Sequence, residues 1–493
     1  MIGALNGPRK TWVKGRKLRI YIYRAVLLLF FLTYAATSSA TVPMPDSVRA
    51  TMRVHKVPAS KVSLYVHEIG AEAPILSINA DNARNPASTI KLLTTWLALE
   101  ELGPAWTWRT EAYLDGPLVD GVLEGNLVLK GYGDPYFITE RLWAFQRQLR
   151  ARGLHDIDGD LVIDNRFFSI AAGTTGKFDG EGLRAYNVRP DAMLVNFQAV
   201  HMTFRPDLEH NRVQILVDPL PSNLEIDNQL KLVNGTCGGY QNGISVTAAD
   251  PIKRDRLIVS GKFGRDCAEY SMSRAALTAP TFAYGMFRSL WEESGGVLSG
   301  TLALGEAPAD QEPFYSVASP PLADVITYIN KFSNNVMARQ LFLTLGVEAF
   351  EPPGTLAKSR DAATDALQRR GLDFPELHLD NGAGLSRDTR ISAEHLGVVL
   401  QQAAASPWSA EYVSSLSLAG LDGTVRKRFT DEEATGRMHL KTGRLQDVFA
   451  TAGYVHARSG HEYVVVVLQN YRGADDGPGE EVQAALLRWV HQQ

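Results

Sequence analysis

The sequence predicts an α/β (α+β) fold in which an antiparallel sheet carries helices on its faces and is interrupted by a large β-rich insertion. Three observations predict it: apolar strands alternate at both ends of the chain, helical periodicity dominates beyond residue 275, and short β-rich runs punctuated by Gly, Asn and Asp fill residues 104–274. At 493 residues the chain exceeds one core of ordinary size, which calls for two or more domains or one domain with large insertions. Its 45% hydrophobic and 21% charged residues are ordinary for a globular protein and argue against disorder.

The first forty residues stand apart. They carry Arg9, Lys10, Lys14, Arg16, Lys17, Arg19 and Arg24, no acid, and then an uncharged run, 25–40, that ends in Ser38-Ser39-Ala40. Its strongly apolar part, 25–36, falls short of the about 20 residues of a bilayer span. The expectation is a secretory signal peptide over 1–40, cut near Ala40, with an uncleaved anchor as the alternative. Either places the remainder outside the cytoplasm, in a periplasmic or extracytoplasmic space. Seven of the 50 Lys+Arg lie in this segment, which leaves 43 against 54 Asp+Glu. So acidic an exported chain is a poor nucleic-acid binder. Oligomeric state and peripheral membrane contact stay open.

Cys237 and Cys267, the two cysteines, lie thirty positions apart in one region. In an oxidising compartment a local disulfide is the leading reading, with two buried free thiols as the alternative; paired histidines that would complete a metal site are absent nearby.

In chain order, residues 41–103 give an N-terminal helix, a strand pair (KVSLYVHEIG and APILSINADN) and a long apolar helix after NPASTIK. GVLEGNLVLKGYGD, GDLVIDNRFF, NRVQILVDPL, NLEIDNQLKLVNG and DRLIVSGKFG are the strands of the insertion, 104–274, with ERLWAFQRQLRARG as a helix among them. From 275 to 493 the helices TFAYGMFRSLWEESG, PPLADVITYINKFSNNVMARQLFLTLG, TLAKSRDAATDALQRRG and SAEHLGVVLQQAAAS precede three strands, RMHLKTGRL, DVFATAGYVHAR and HEYVVVVLQNYR, and a terminal helix.

The chemistry starts at Ser88 and Lys91. A Ser-x-x-Lys match alone carries little, since about one or two arise by chance in a chain this long. Ser88 follows Pro86-Ala87 before an apolar run and so also suits a helix N-cap. Positions i and i+3 share a helix face, so Lys91 can reach the Ser88 hydroxyl, and the helix N-terminus favours a developing oxyanion. Lysine serves as a base only with its pKa lowered by burial or by a second cation. Ser333-Asn334-Asn335, between two helical stretches, and Lys441-Thr442-Gly443, on a strand, supply the missing parts. Each fragment has a bland reading as helix junction or strand edge; their joint order on helix, loop and strand does not. With 11 scattered histidines, no HExxH and no Gly-x-Ser-x-Gly elbow, zinc-peptidase and α/β-hydrolase chemistry find no support. Asp380 to Ser386, DNGAGLS, lacks the lysine of a phosphate loop and reads as a tight turn near the site.

On these motifs, together with GYGDPYFITERLWAFQRQLRARGLHDIDGDLVIDN, YNVRPDAMLVNFQAV, DNGAGLSRDTRIS, LAGLDGTVRKRF and KTGRLQDVFATAGYV, the chain resembles the class C low-molecular-mass penicillin-binding proteins. These are serine, penicillin-recognising D-alanyl-D-alanine carboxypeptidases and endopeptidases. The resemblance implies a penicillin-binding/β-lactamase-like peptidase domain formed by 41–103 and 275–493, no cofactor, and peptidoglycan peptides with D-Ala-D-Ala ends and β-lactams as partners. It implies Ser88 as nucleophile, Lys91 as its base, Ser333 as proton shuttle, Asn335 as a partner of substrate or Lys91, and Lys441 and Thr442 as binders of the substrate carboxylate. The backbone N–H groups of Ser88 and Arg444 would form the oxyanion hole. Arg444 departs from the pattern, because Thr or Ser ordinarily follows the Gly443 position. It either pairs with the carboxylate or points to solvent. A β-lactamase or esterase, and a catalytically silent wall-binding scaffold, are the alternative readings.

Overall fold

The computed structural model describes residues 43–171, 176, 178–235 and 243–493. The signal-peptide reading and Cys237 lie outside the described residues.

One six-stranded sheet organises the catalytic half. Its first strands are β1 (Val62–Glu68) and β2 (Leu76–Ile78); its later ones are β3 (Ser417–Leu418), β4 (Met438–Leu445), β5 (Val448–His456) and β6 (Glu462–Asn470). The order is β3-β4-β5-β6-β1-β2, and β1 pairs antiparallel with β6, so early and late segments close one sheet. Both faces are covered, and the period of two in β6 sorts its side chains between them: Val464, Val466 and Leu468 enter one core, Tyr463, Val465 and Val467 the other. The second core is sealed by α1 (Asp46–Val54) and the terminal helix Pro478–His491 through Val48, Met52, Val482, Leu486 and Val490.

The first core is built around α2 (Lys91–Leu102), whose residues from Lys91 to Leu99 are all buried. A helix buried on every side must be walled by other helices. Here these are α3 (Leu322–Lys331), α4 (Asn335–Phe350), α5 (Leu356–Arg369) and α6 (Ala393–Ala405), which pack Ile326, Phe342, Ala363 and Leu396 against Trp96 and Leu97. A Leu or Ile fully buried there contributes about 1.5–3 kcal/mol relative to exposure.

Among the described residues the β-rich region forms a five-stranded sheet and three three-stranded sheets. Its pairing runs past residue 274: Leu302–Leu304 pairs with Leu161–Asp164, and Tyr315–Ala318 with Arg109–Asp115. The chain enters and leaves this region at one place, where Trp108 N donates to Ser319 Oγ at 3.0 Å and Ser319 N to Trp108 O at 2.8 Å. Among the described residues no helix is long and apolar enough to cross a membrane.

Candidate active site

Three elements meet at Ser88. The first is a single 3₁₀ turn, Ala87–Ile90, that leads into α2. Ser88 therefore is not the helix cap that its position suggests: no side chain caps either helix start, and Ser88 lies inside the turn. The chain kinks because Ala87 takes φ +46°, a left-handed conformation that costs an alanine about 1–3 kcal/mol. Asn85 stabilises it, since Ala87 N donates to Asn85 Oδ1 at 2.9 Å while Asn85 Nδ2 donates to Ser386 O at 2.8 Å.

Two glycines make room for the kink. A Cβ on Gly384 would lie 2.0 Å from Ala87 O, and one on Gly443 would lie 2.7 Å from Pro86 O and 3.0 Å from Ser88 N. Backbone of the DNGAGLS turn and of β4 thus presses directly on the serine. DNGAGLS shapes the site as a tight turn, with Gly384 at φ +80°, and it contributes a group that sequence reasoning missed, the carbonyl of Ala383.

Lys91 is wholly buried. Its Nζ lies 3.0 Å from Ser88 Oγ, 2.7 Å from Asn335 Oδ1 and 2.5 Å from Ala383 O. Burial first, then the charges of Lys441 and Arg339, hold its pKa well below the ordinary lysine value. Arg339 was not singled out in the sequence. It sits one helical turn beyond Asn335 on α4, a spacing that puts both on one face. Its guanidinium donates to Val188 O at 3.0 Å, and burial brings its pKa down to about 10, so it stays cationic at neutral pH.

The second element is the junction of α3 and α4. Ser333 occupies it with φ +56°, and Asn334 caps α4 by accepting from Met337 N at 3.2 Å. Asn335, the first residue of α4, directs Oδ1 at Lys91 and donates from Nδ2 to Tyr186 O at 3.2 Å. That carbonyl comes from the β-rich region and carried no sequence signal.

The third element is β4. Lys441, also wholly buried, donates to Ser333 Oγ at 2.8 Å and to Thr442 O at 2.7 Å, and burial brings its pKa down to about 7. Thr442 faces the opposite side and donates to Thr424 Oγ1 at 2.8 Å. β3 pairs only with His439 and Leu440, so among the described residues the outer edge of β4 from Lys441 onward carries no strand. Arg444 shares the face of Thr442 and is 64% exposed, with Nε 3.7 Å from Asp475 Oδ2. The structure thus brings Ser88, Lys91, Ser333, Asn335, Lys441 and Gly443 into one cleft, with Thr442 and Arg444 on its rim side. Cys267, buried in the β-rich core, lies apart from it.

A fold of this kind, with a buried lysine on a serine and an open strand edge beside both, defines a serine peptidase of the penicillin-recognising class. Residues 46–493 match the D-Ala-D-Ala carboxypeptidase 3 (S13) family, and the chain belongs to that family. It is similar to a D-alanyl-D-alanine carboxypeptidase of Actinomadura sp., at 27% identity over 79% of this chain and 74% of that one. It is also similar to D-alanyl-D-alanine carboxypeptidase DacB of Haemophilus influenzae, at 22% over 93% and 95%. The fold is that of penicillin binding protein 4 from H. influenzae, with a TM-score of 0.76 and 22% identity over 91% of this chain and all of that one. A predatory peptidoglycan endopeptidase from Bdellovibrio bacteriovorus is a more distant match, at a TM-score of 0.51 and 16% identity over 87% and 92%. The protein is a serine-type D-Ala-D-Ala carboxypeptidase.

Proposed function

We propose that Ser88 is the nucleophile that cleaves D-Ala-D-Ala bonds of peptidoglycan peptides, with Lys91 as its base. The observation that carries this is the lysine's surroundings. Protonated, Lys91 would donate to all three of its neighbours. Neutral, as burial and two adjacent cations favour, it keeps donors for Asn335 Oδ1 and Ala383 O and turns its lone pair to the Ser88 hydroxyl. The serine attacks the carbonyl between the two D-alanines, and Lys91 takes the hydroxyl proton. The oxyanion falls to the N–H groups of Ser88 and Arg444, supported by the contact of Gly443 with the Ser88 backbone. Ser333, bonded to Lys441, gives its hydroxyl proton to the leaving amine as the C–N bond breaks and is reprotonated by the proton that Lys91 took from Ser88. D-alanine thus leaves as the acyl-enzyme forms, and water then hydrolyses the ester, releasing the shortened peptide and free Ser88. The open edge of β4 suits an extended peptide, with Lys441 and Thr442 near its carboxylate. β-Lactams, as carbonyl analogues of this substrate, acylate the same serine, and crosslinked peptides are a second substrate. H. influenzae penicillin binding protein 4 in complex with a β-lactam supports the first point, and the likeness to the Bdellovibrio peptidoglycan endopeptidase supports the second.

Mass spectrometry after fluorescent-penicillin labelling tests the mechanism. One adduct on Ser88 and none on Ser88→Ala is expected; an unlabelled wild type overturns it. Release of D-alanine from a muropeptide pentapeptide separates a peptidase from a silent scaffold, and a short-lived penicillin adduct would indicate a β-lactamase.

The insertion is best bounded by Trp108 and Ser319, where the chain enters and leaves, rather than by 104 and 274. We also infer export by the basic, then apolar N-terminus, with cleavage near Ala40; N-terminal sequencing of the secreted protein tests it. A Cys237–Cys267 disulfide is supported from the side of Cys267, because Gly264 packs against both its sulfur and the carbonyl of Gly235, two residues before Cys237. Thiol titration in denaturant, with and without reductant, decides it.

A further inference from the structure

A large cavity lies apart from Ser88, which does not line it. It measures 1010 Å³ and lies in the β-rich region, behind the segment that supplies Tyr186 O to Asn335. That is the upper end of the about 300–1,000 Å³ of small-molecule sites, room for a short chain rather than a single ion.

Its walls are chemically distinct. One is the strand Ile244–Ala248, every residue of which lines the cavity. This strand pairs with Arg256–Gly264 alone, so among the described residues its other edge carries no strand. A second wall is cationic. Arg184, Arg189, Arg254 and Arg274 line the cavity against the carboxylates Glu181 and Asp191. The acids are committed: Glu181 pairs with Arg184 at 3.3 Å, and Asp191, its pKa pushed up to about 6 by burial, accepts from Asn165 Nδ2 at 2.8 Å and Met193 N at 2.9 Å. Burial and then the charge of Arg184 hold the Arg274 guanidinium below its ordinary value. Apolar floor comes from Phe168, Ile170, Leu183 and Ile252, the last 78% exposed.

We propose that this cavity binds a short, extended, carboxylate-bearing peptide, which adds to the edge of Ile244–Ala248 that carries no strand among the described residues and sets a carboxylate against Arg274. Open strand edges take extended peptides through main-chain hydrogen bonds, and arginine forks take carboxylates. An open edge beside cations is also the arrangement at β4. On the proposed function, which this identification rests on, the available member of that class is a second stem peptide of the wall polymer. The site would then hold one strand of peptidoglycan while another is cut. The segment between is shared. Its cavity side includes Arg184, Arg189 and Asp191, while its Tyr186, Val188 and Asp191 backbone bonds Asn335, Arg339 and Gln340 on α4.

Calorimetric titration of penicillin-acylated full-length protein tests this, with the catalytic cleft already filled. The probe is L-alanyl-γ-D-glutamyl-diaminopimelate, which lacks D-Ala-D-Ala. Saturable one-to-one binding is expected. It should weaken tenfold or more, about 1.4 kcal/mol, in Arg274→Glu and for the probe with amidated carboxylates. Unchanged circular dichroism and penicillin acylation show that Arg274→Glu is folded. No saturable binding, or equal binding by the variant or the amidated probe, overturns the site. Tighter binding of an acidic all-L tripeptide overturns the assignment to the wall. If the wild type takes no penicillin, the titration on Ser88→Ala still reads the cavity, so failure of the catalytic reading and failure of this one remain distinct.

Discussion

Lys91 and Lys441 are both wholly buried, and two neighbouring buried ammonium groups repel one another in a medium that screens poorly. The division of labour follows from their surroundings. On the proposed mechanism Lys91, its pKa held well below the ordinary value by burial and adjacent cations, serves as the base, while Lys441, with a pKa of about 7, carries charge toward a substrate carboxylate. Its protonated fraction is full below that value and lost above it. The kcat/KM of a carboxylate-terminated peptide should therefore fall as pH rises through about 7, whereas kcat, read in the complex where the carboxylate supports the ammonium, should fall less. Lys441→Arg should move that alkaline limb out of range; an unmoved limb would assign it elsewhere. At Arg444 the exposed guanidinium meets Asp475 loosely, at 3.7 Å, and stands on the face of Thr442, which leaves it available to the same carboxylate. Arg444→Thr should raise KM for D-Ala-D-Ala peptides about threefold to tenfold, or about 0.7–1.4 kcal/mol, and leave KM for an amidated peptide alone. An unchanged KM for the free acid would mean that the side chain serves Asp475 only.

The 3₁₀ turn that carries Ser88 is an element held from outside. Its strained Ala87 is crowded by Gly384 and Gly443, and that close approach of backbone to backbone predicts a sharp response to one methyl group. Gly443→Ala must displace Pro86 and Ser88, so penicillin acylation should slow about a hundredfold, the usual cost of an ångström's misplacement at a nucleophile. Its urea unfolding should shift by no more than about 1–3 kcal/mol, as for other overpacking changes. Acylation at the wild-type rate would refute the contact. Elements of strong period were legible in the sequence. β4, β5 and β6, the helices around α2, and the pairing of early with late strands follow from apolar spacing and turn residues alone. Ser88, Lys91, Ser333, Asn335 and Lys441 were legible because their residue types recur at fixed spacing. The 3₁₀ turn was not, because capping and catalysis favour the same serine before an apolar run, and what excludes the cap is a φ of +46° imposed by glycines some three hundred residues away. Ala383 and Tyr186 act through carbonyls, which every residue type possesses, so no letter in the sequence marks them.

At the scale of the whole molecule the catalytic centre belongs to both halves of the chain. Asn335 and Arg339 face the β-rich region and bond the carbonyls of Tyr186 and Val188, so the insertion helps to position the groups around Lys91. Arg339 is the sharper probe, since it acts on Lys91 by charge and on the insertion by a hydrogen bond. Its positive charge lowers the Lys91 pKa; without it, Lys91 holds its proton to higher pH and is unavailable as a base there. Arg339→Gln keeps a donor for Val188 O but removes the charge. The acid limb of kcat/KM against pH, measured with a pentapeptide or as penicillin acylation, should then move up by about one unit, a change of about 1.4 kcal/mol in the charged state of Lys91. Arg339→Lys, which keeps the charge, should restore most of the limb's position even where its fit is poorer. A profile lowered at every pH with its acid limb in place would show instead that Arg339 serves only to hold the insertion against α4.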